Sequence, residues 1–134
     1  MTVSIHNITF DCHDAHALAG FWSRLTGWNV YFDDEPEVVV APTYPYDGIG
    51  LLFIPVPEGK TAKNRLHLDV AAKATRDEAV AAALAEGATV IGDFRKPDGT
   101  GWVTLADPEG NEFCIERGSA ERAPREPGRF RIGT

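Results

Sequence analysis

Cysteine is scarce: Cys12 and Cys114 are the two in 134 residues, too few and too far apart for a disulfide framework. That points to a reducing, cytoplasmic setting. No apolar run approaches the ~18 residues a helical membrane span needs. The opening MTVSIHNITF lacks the basic stretch and apolar core of a signal peptide. Basic residues are also in short supply, with 13 Lys and Arg against 20 Asp and Glu and a net charge of −7. The deficit lies in the body: residues 1–116 carry 8 basic and 18 acidic side chains, whereas residues 117–134 carry five Arg and two Glu. An acidic body excludes nucleic acid as the expected partner, because phosphate contacts need a basic face. The arginines near the end (Arg122, Arg125, Arg129, Arg131) read as a Pro-broken extension, lying on the acidic body or disordered.

What is present is a repeat. Shifted by 60 positions, the sequence aligns with itself without a gap: Phe10 falls on Val70, Ala19 on Ala79, Gly27 on Gly87, Asp33 on Asp93 and Phe53 on Phe113. Each half opens with a strand of period-2 alternation, Ile8, Phe10 and Cys12 in one and Leu66, Leu68 and Val70 in the other. A helix follows. Asp14 caps the first, and Ala17, Leu18, Phe21, Trp22 and Leu25 mark its apolar face. Thr75 caps the second, with Glu78 placed for a capping box and Leu84 on its apolar face. Gly27 and Gly87 end the two helices. Turn residues then divide three strands in each half, about 29–33, 37–42 and 49–56, then about 88–94, 101–106 and 112–116.

The reading is an α+β fold of two fused βαβββ modules, whose curved, half-barrel mixed sheet surrounds a central cup. Residues 1–118 form the domain, with modules at about 3–58 and 64–117 joined by the polar stretch Pro57–Asn64. Residues 119–134 are the tail. The loop 33–47, with Tyr44 and Tyr46 between prolines, is a lid, a dimer seam or a plain surface connection.

Three stretches carry a family likeness. Asp14 followed by Phe21–Trp28 (FWSRLTGW), Asn64–Val70 (NRLHLDV) and Trp102–Glu116 (WVTLADPEGNEFCIE) resemble the glyoxalase/bleomycin-resistance/dioxygenase (vicinal oxygen chelate) superfamily, over about residues 3–116. The resemblance implies small-molecule chemistry in the cup and frequent homodimers. In metal-dependent members it implies a divalent ion held by one residue from the first and one from the last strand of each module. Counting from the helix cap and the Asp107–Asn111 turn, with the 60-residue shift, those positions are Asn7, Ile54, His67 and Cys114. Ile54 has no donor atom and Asn7 offers only a neutral amide. The family's full metal site is therefore not expected, and no cofactor with it. A substitute set, if any, would use His67, Glu116 and His6, the last admitted by a bulge where the apolar phase slips between Ile5 and Ile8.

Alternation turns Asn7, Thr9, Asp11, Ile54, His67, Asp69, Cys114 and Glu116 into the cup. His67 is the candidate acid/base, with Asp69 or Asp11 orienting it. Trp102 is the candidate stacking residue, while Trp22 and Trp28 pack helix on sheet. Two readings stay open: isomerase- or lyase-type acid–base chemistry on a small molecule through His67, and non-catalytic binding that sequesters a small molecule or antibiotic. Glyoxalase activity itself is not expected. Cys12 and Cys114 should face opposite sides of the sheet and stay unbonded.

Overall fold

The computed structural model describes residues 2–32, 36–124 and 127–128; Asp33, Arg125, Arg129 and Arg131 lie outside the described residues. Strand β1 (Asn7–Cys12) leads to helix α1 (Ala15–Thr26), then β2 (Asn29–Phe32), β3 (Val38–Ala41) and β4 (Gly50–Pro55). The second half repeats this as β5 (Leu68–Ala71), α2 (Arg76–Ala85), β6 (Thr89–Asp93), β7 (Val103–Ala106) and β8 (Glu112–Glu116). Each half makes one four-stranded mixed sheet, ordered β1-β4-β3-β2 and β5-β8-β7-β6, with the first and last strands parallel. This is the α+β, two-module architecture expected from the repeat.

Local chemistry explains the helix ends. Asp14 accepts from the Ala17 N–H at 3.1 Å, and Gly27, at φ 76°, donates its N–H to Ser23 at 2.8 Å. A left-handed φ is the conformation glycine adopts without a Cβ penalty. Thr75 accepts from the Glu78 N–H at 3.2 Å. The neighbouring Arg76 N–H goes to Glu121, in a short 3-10 turn at Ser119–Glu121. The segment assigned to the tail thus starts as a docked turn. Arg122 pairs with Glu116 at 3.1 Å and also donates to the Arg117 carbonyl.

Some local expectations shift. Leu66 and Leu84 are exposed, and α2 buries Arg76, Val80 and Ala83 instead. An Ala-rich helix needs little apolar face when one long side chain anchors it. Val3 and Ile5 are exposed ahead of β1, so the phase slip there marks the strand's beginning. The irregularity in pairing falls in β6, between Val90 and Gly92.

One apolar core joins the halves. Phe10 stacks on Phe53 at 4.9 Å, and Trp22 meets Phe113 of the second module at 4.9 Å. Phe21 touches Phe113 as well, at 6.1 Å. Trp22 Nε1 then donates to Asp107 Oδ2 at 3.0 Å, in a site where Asp107 is 3% exposed. The other carboxylate oxygen accepts from the Glu109 and Asn111 N–H groups at 2.9 and 3.0 Å. Glu109 reaches back across the seam to accept the His13 and Asp14 N–H groups at the start of α1. Buried polar groups must be satisfied this way, and an unmet donor costs about 1–3 kcal/mol. Asp107→Ala strands four N–H donors, the Trp22 indole, the Glu109 and Asn111 backbone groups and the Asn111 side-chain amide. It is expected to lower unfolding free energy by about 2–4 kcal/mol, read from the urea midpoint at constant m-value.

Candidate functional site

The site lies on the face of the second sheet opposite the core. Leu68, Val70, Phe113 and Ile115 turn toward the core. Period-2 alternation therefore turns Asp69, Cys114 and Glu116 the other way. Pairing puts Asp69 beside Cys114, and Cys114 beside Thr104 of β7, in one row across three strands. His67, just before β5, sets its Nε2 3.2 Å from Asp69 Oδ1. The Thr104 hydroxyl and Cys114 Sγ are 3.2 Å apart. Donor atoms of His67, Asp69 and Cys114 all lie within 4.8 Å of one another.

These groups differ in exposure. The His67 and Asp69 side chains are 43% and 53% exposed, so their pairing contributes little stability but does orient the imidazole. Cys114 is buried. Burial pushes its thiol above the usual range, the Thr104 hydrogen bond works against that, and the charges of Asp69 and Glu116 add to the rise. Cys12, on the opposite face, is pushed up to about 11 by burial and by the nearby carboxylates, Glu109 first. Both thiols are free.

Above this floor stands an apolar wall. Phe94 and Trp102 stack at 5.1 Å while remaining 49% and 41% exposed, and Ile91 adjoins them. A Cβ at Gly92 would come within 2.8 Å of the Phe94 ring, so the glycine lets that ring lie against the strand. Wall and floor enclose an open cavity of about 660 Å³. Ligand pockets commonly run about 300–1,000 Å³, with apolar lining and few convergent polar groups. Ile91, Phe94 and Thr104 were not among the residues singled out from sequence. The bulge in β6, between Val90 and Gly92, breaks the alternation that would have related Ile91 to Phe94, whereas Thr104 simply alternates with the buried Val103 and Leu105.

The first-module residues gather elsewhere. Asn7 Nδ2 donates to the Tyr46 hydroxyl at 3.4 Å, and Asn7 Oδ1 accepts from Thr9 at 3.2 Å. His6 stacks on Tyr46 at 4.8 Å. Thr9 and Asp11 line a smaller cleft of about 270 Å³ between the modules, which His67 and Trp22 also line. Ile54 is paired with Asp11 and lines neither cavity. Glu116 lines the larger cavity, its carboxylate held by Arg122.

The four positions drawn from the family pattern are thus not assembled, and the residues on the first sheet do not fit a shared metal. Register explains part of this. Thr9 pairs with Leu52, while Asp69, the residue 60 positions beyond Thr9, pairs with Cys114. The closing strands are offset by two further residues, so Leu52 rather than Ile54 stands where Cys114 stands. What does converge is the second-module trio.

The sequence profile of the glyoxalase-like domain matches residues 7–116. No curated protein matches the chain. Solved structures do. A glyoxalase/bleomycin resistance protein/dioxygenase family enzyme from Burkholderia phytofirmans PsJN is 20% identical, covering 86% of this chain and 98% of its own, with a TM-score of 0.66. The antibiotic-binding protein TnmS3 from Streptomyces sp. CB03234 is 19% identical, with coverage of 89% and 99% and a TM-score of 0.62. A lactoylglutathione lyase from Agrobacterium tumefaciens is 19% identical, with coverage of 86% and 93% and a TM-score of 0.58. At these identities the likeness is one of fold.

The thiol environment is directly measurable. In the folded protein Cys114 should alkylate slowly at pH 7.5, and Cys12 should resist until the pH nears about 11. In urea both should react at the ordinary thiol rate. Mass spectrometry after iodoacetamide reads this, and rapid folded-state labelling of Cys114 at pH 7.5 would refute it.

Proposed function

The chain belongs to the glyoxalase-like domain family, and from that premise we propose that it takes a small organic molecule into the second-module cavity and acts on it by acid–base chemistry through His67. One observation carries this: a paired His67 and Asp69 lie at the floor of a cavity walled by exposed aromatic rings. Exposed aromatics beside convergent polar groups favour a ligand with a flat apolar part and a polar, oxygen-bearing part. Asp69 holds the imidazole in a fixed orientation, so His67 can give a proton to a ligand oxygen or take one from an adjacent carbon. That is isomerase- or lyase-type chemistry. Glyoxalase activity itself is not part of the proposal, because the four-position metal set of the family is not assembled.

The stacked Phe94–Trp102 pair favours a second reading, in which the cavity binds and sequesters its molecule without turnover. An antibiotic-binding protein shares the fold, which makes that reading concrete. The working form in this proposal is a cytoplasmic homodimer. Among the described residues, no helix is long and apolar enough to cross a membrane.

Both readings require Trp102. A thermal-shift screen of small aromatic and oxygenated compounds should yield a binder, and Trp102→Ala should weaken it about tenfold, roughly 1.4 kcal/mol. His67→Ala should leave binding within a few-fold. Under the catalytic reading it should lower turnover by about 10²-fold or more. Binding that is indifferent to Trp102→Ala would sink the cavity assignment. A bound molecule recovered unchanged by both wild type and His67→Ala would select sequestration.

A further inference from the structure

The few basic side chains of this acidic chain gather beside the aromatic wall. We infer that the molecule entering the second-module cavity is an anion, an apolar or aromatic carboxylate or phosphate whose charged end is received by Lys96, Arg117 and Arg122. The inference rests on the cavity proposed above and adds the chemical class of what enters it.

Placement comes first. Lys96, Arg117 and Arg122 line a pocket of about 400 Å³ together with Trp102 and Glu116. Trp102 and Glu116 also line the larger cavity, so the two spaces adjoin. The whole chain carries a net charge of −7, and three cations with one carboxylate at a single opening reverse that sign locally. A cleft lined by one sign of charge concentrates ligands of the other. Two of the cations lie beyond Glu116, and the docked turn at Ser119–Glu121 returns Arg122 to the end of β8.

The cations keep donors to offer. A guanidinium has five N–H donors in a planar fork that matches a carboxylate or phosphate. Among the described residues, Arg122 gives one to Glu116 at 3.1 Å and one to the Arg117 carbonyl at 2.9 Å. Arg117 gives one to the Glu121 carbonyl at 3.2 Å. The other carboxylates nearby are engaged elsewhere. Asp98 accepts the Thr100 N–H at 2.9 Å and its hydroxyl at 2.6 Å, and Glu121 accepts the Arg76 and Gly118 N–H groups.

Register then orients the ligand. Glu116 lies two residues beyond Cys114 on the same strand face, about 7 Å of strand. The imidazole of His67 meets Asp69, which pairs with Cys114. Val103 pairs with Ile115, so Trp102 stands at the Glu116 end of that row. A ring lying on Trp102 therefore has its charged substituent at the basic pocket and its far edge toward His67. The ligand this suits is elongated, with the anion and the reacting centre at opposite ends.

Calorimetric titration with phenylacetate, phenyl phosphate and the neutral phenylacetamide tests this. At least one anion should bind about tenfold or more tightly than phenylacetamide, and the tighter of the two distinguishes carboxylate from phosphate. Raising NaCl from ~0.1 M to ~1 M shortens the Debye length from about 10 to about 3 Å, and should weaken the anions severalfold while leaving phenylacetamide unchanged. Combining Lys96→Gln with Arg122→Gln should bring the anions down to the affinity of phenylacetamide. Both side chains are exposed, so this variant should fold, and the salt series needs no variant at all. Equal affinity for the anions and phenylacetamide in wild type would overturn the inference and leave the cavity reading standing. A preference for anions that survives both the double substitution and high salt would overturn it, as would no binding of either anion at millimolar concentration. Trp102→Ala, which should weaken all three compounds alike, reports on the cavity itself.

Discussion

A single buried carboxylate decides how the two halves of this molecule meet. Asp107 closes the turn that begins β8's hairpin and, at the same time, accepts the indole N–H of Trp22 from the other module. Glu109, two residues on, supplies acceptors to the exposed N–H groups at the start of α1. Neither half alone satisfies these groups. The sheets pack through α1 and Phe113 because polar bonds on one side of the seam and aromatic contacts on the other agree on a single placement. β8 is thereby fixed, and with it Cys114 and the floor of the cavity.

That placement makes the pseudo-symmetric halves unequal. In the first module the Tyr46 hydroxyl bonds Asn7, its ring stacks on His6, and it lies against Gly50. The polar groups on that face satisfy one another. In the second module the corresponding face is left with a His67–Asp69 contact, a buried thiol and two partly exposed rings. The duplicated backbone therefore presents converging polar groups beneath exposed rings on one side only, and the asymmetry resides in side chains rather than topology.

Local features were legible in the sequence. Asp14 and Thr75 as caps, Gly27 as a helix end and the order of strands follow from rules acting over a few residues. The opposed facing of Phe10 and Thr9 follows from alternation alone. Long-range register was not legible. A 60-residue shift matches the opening strands, but nothing local reveals that β8 pairs two residues further along than β4 does. That slip is why Leu52, and not Ile54, is the counterpart of Cys114. His67 and Asp69 were recognisable as neighbours on one face. Phe94 was not, because its position depends on a bulge and on Gly92 yielding space. The Tyr46–His6 contact spans a loop whose path no periodicity encodes.

Arg76 has a consequence for the cavity although it lies outside it. Its Nη1 donates to the carbonyls of Gly99, Thr100 and Gly101 at 3.2, 2.9 and 3.0 Å, and the side chain is buried. Trp102 follows that loop directly. A guanidinium gripping three consecutive carbonyls removes most of the loop's freedom before any visitor arrives. A ligand of the proposed kind would then dock onto a standing surface, with little ordering entropy left to be lost, and its association would be set by diffusion and orientation rather than by the opening of a gate.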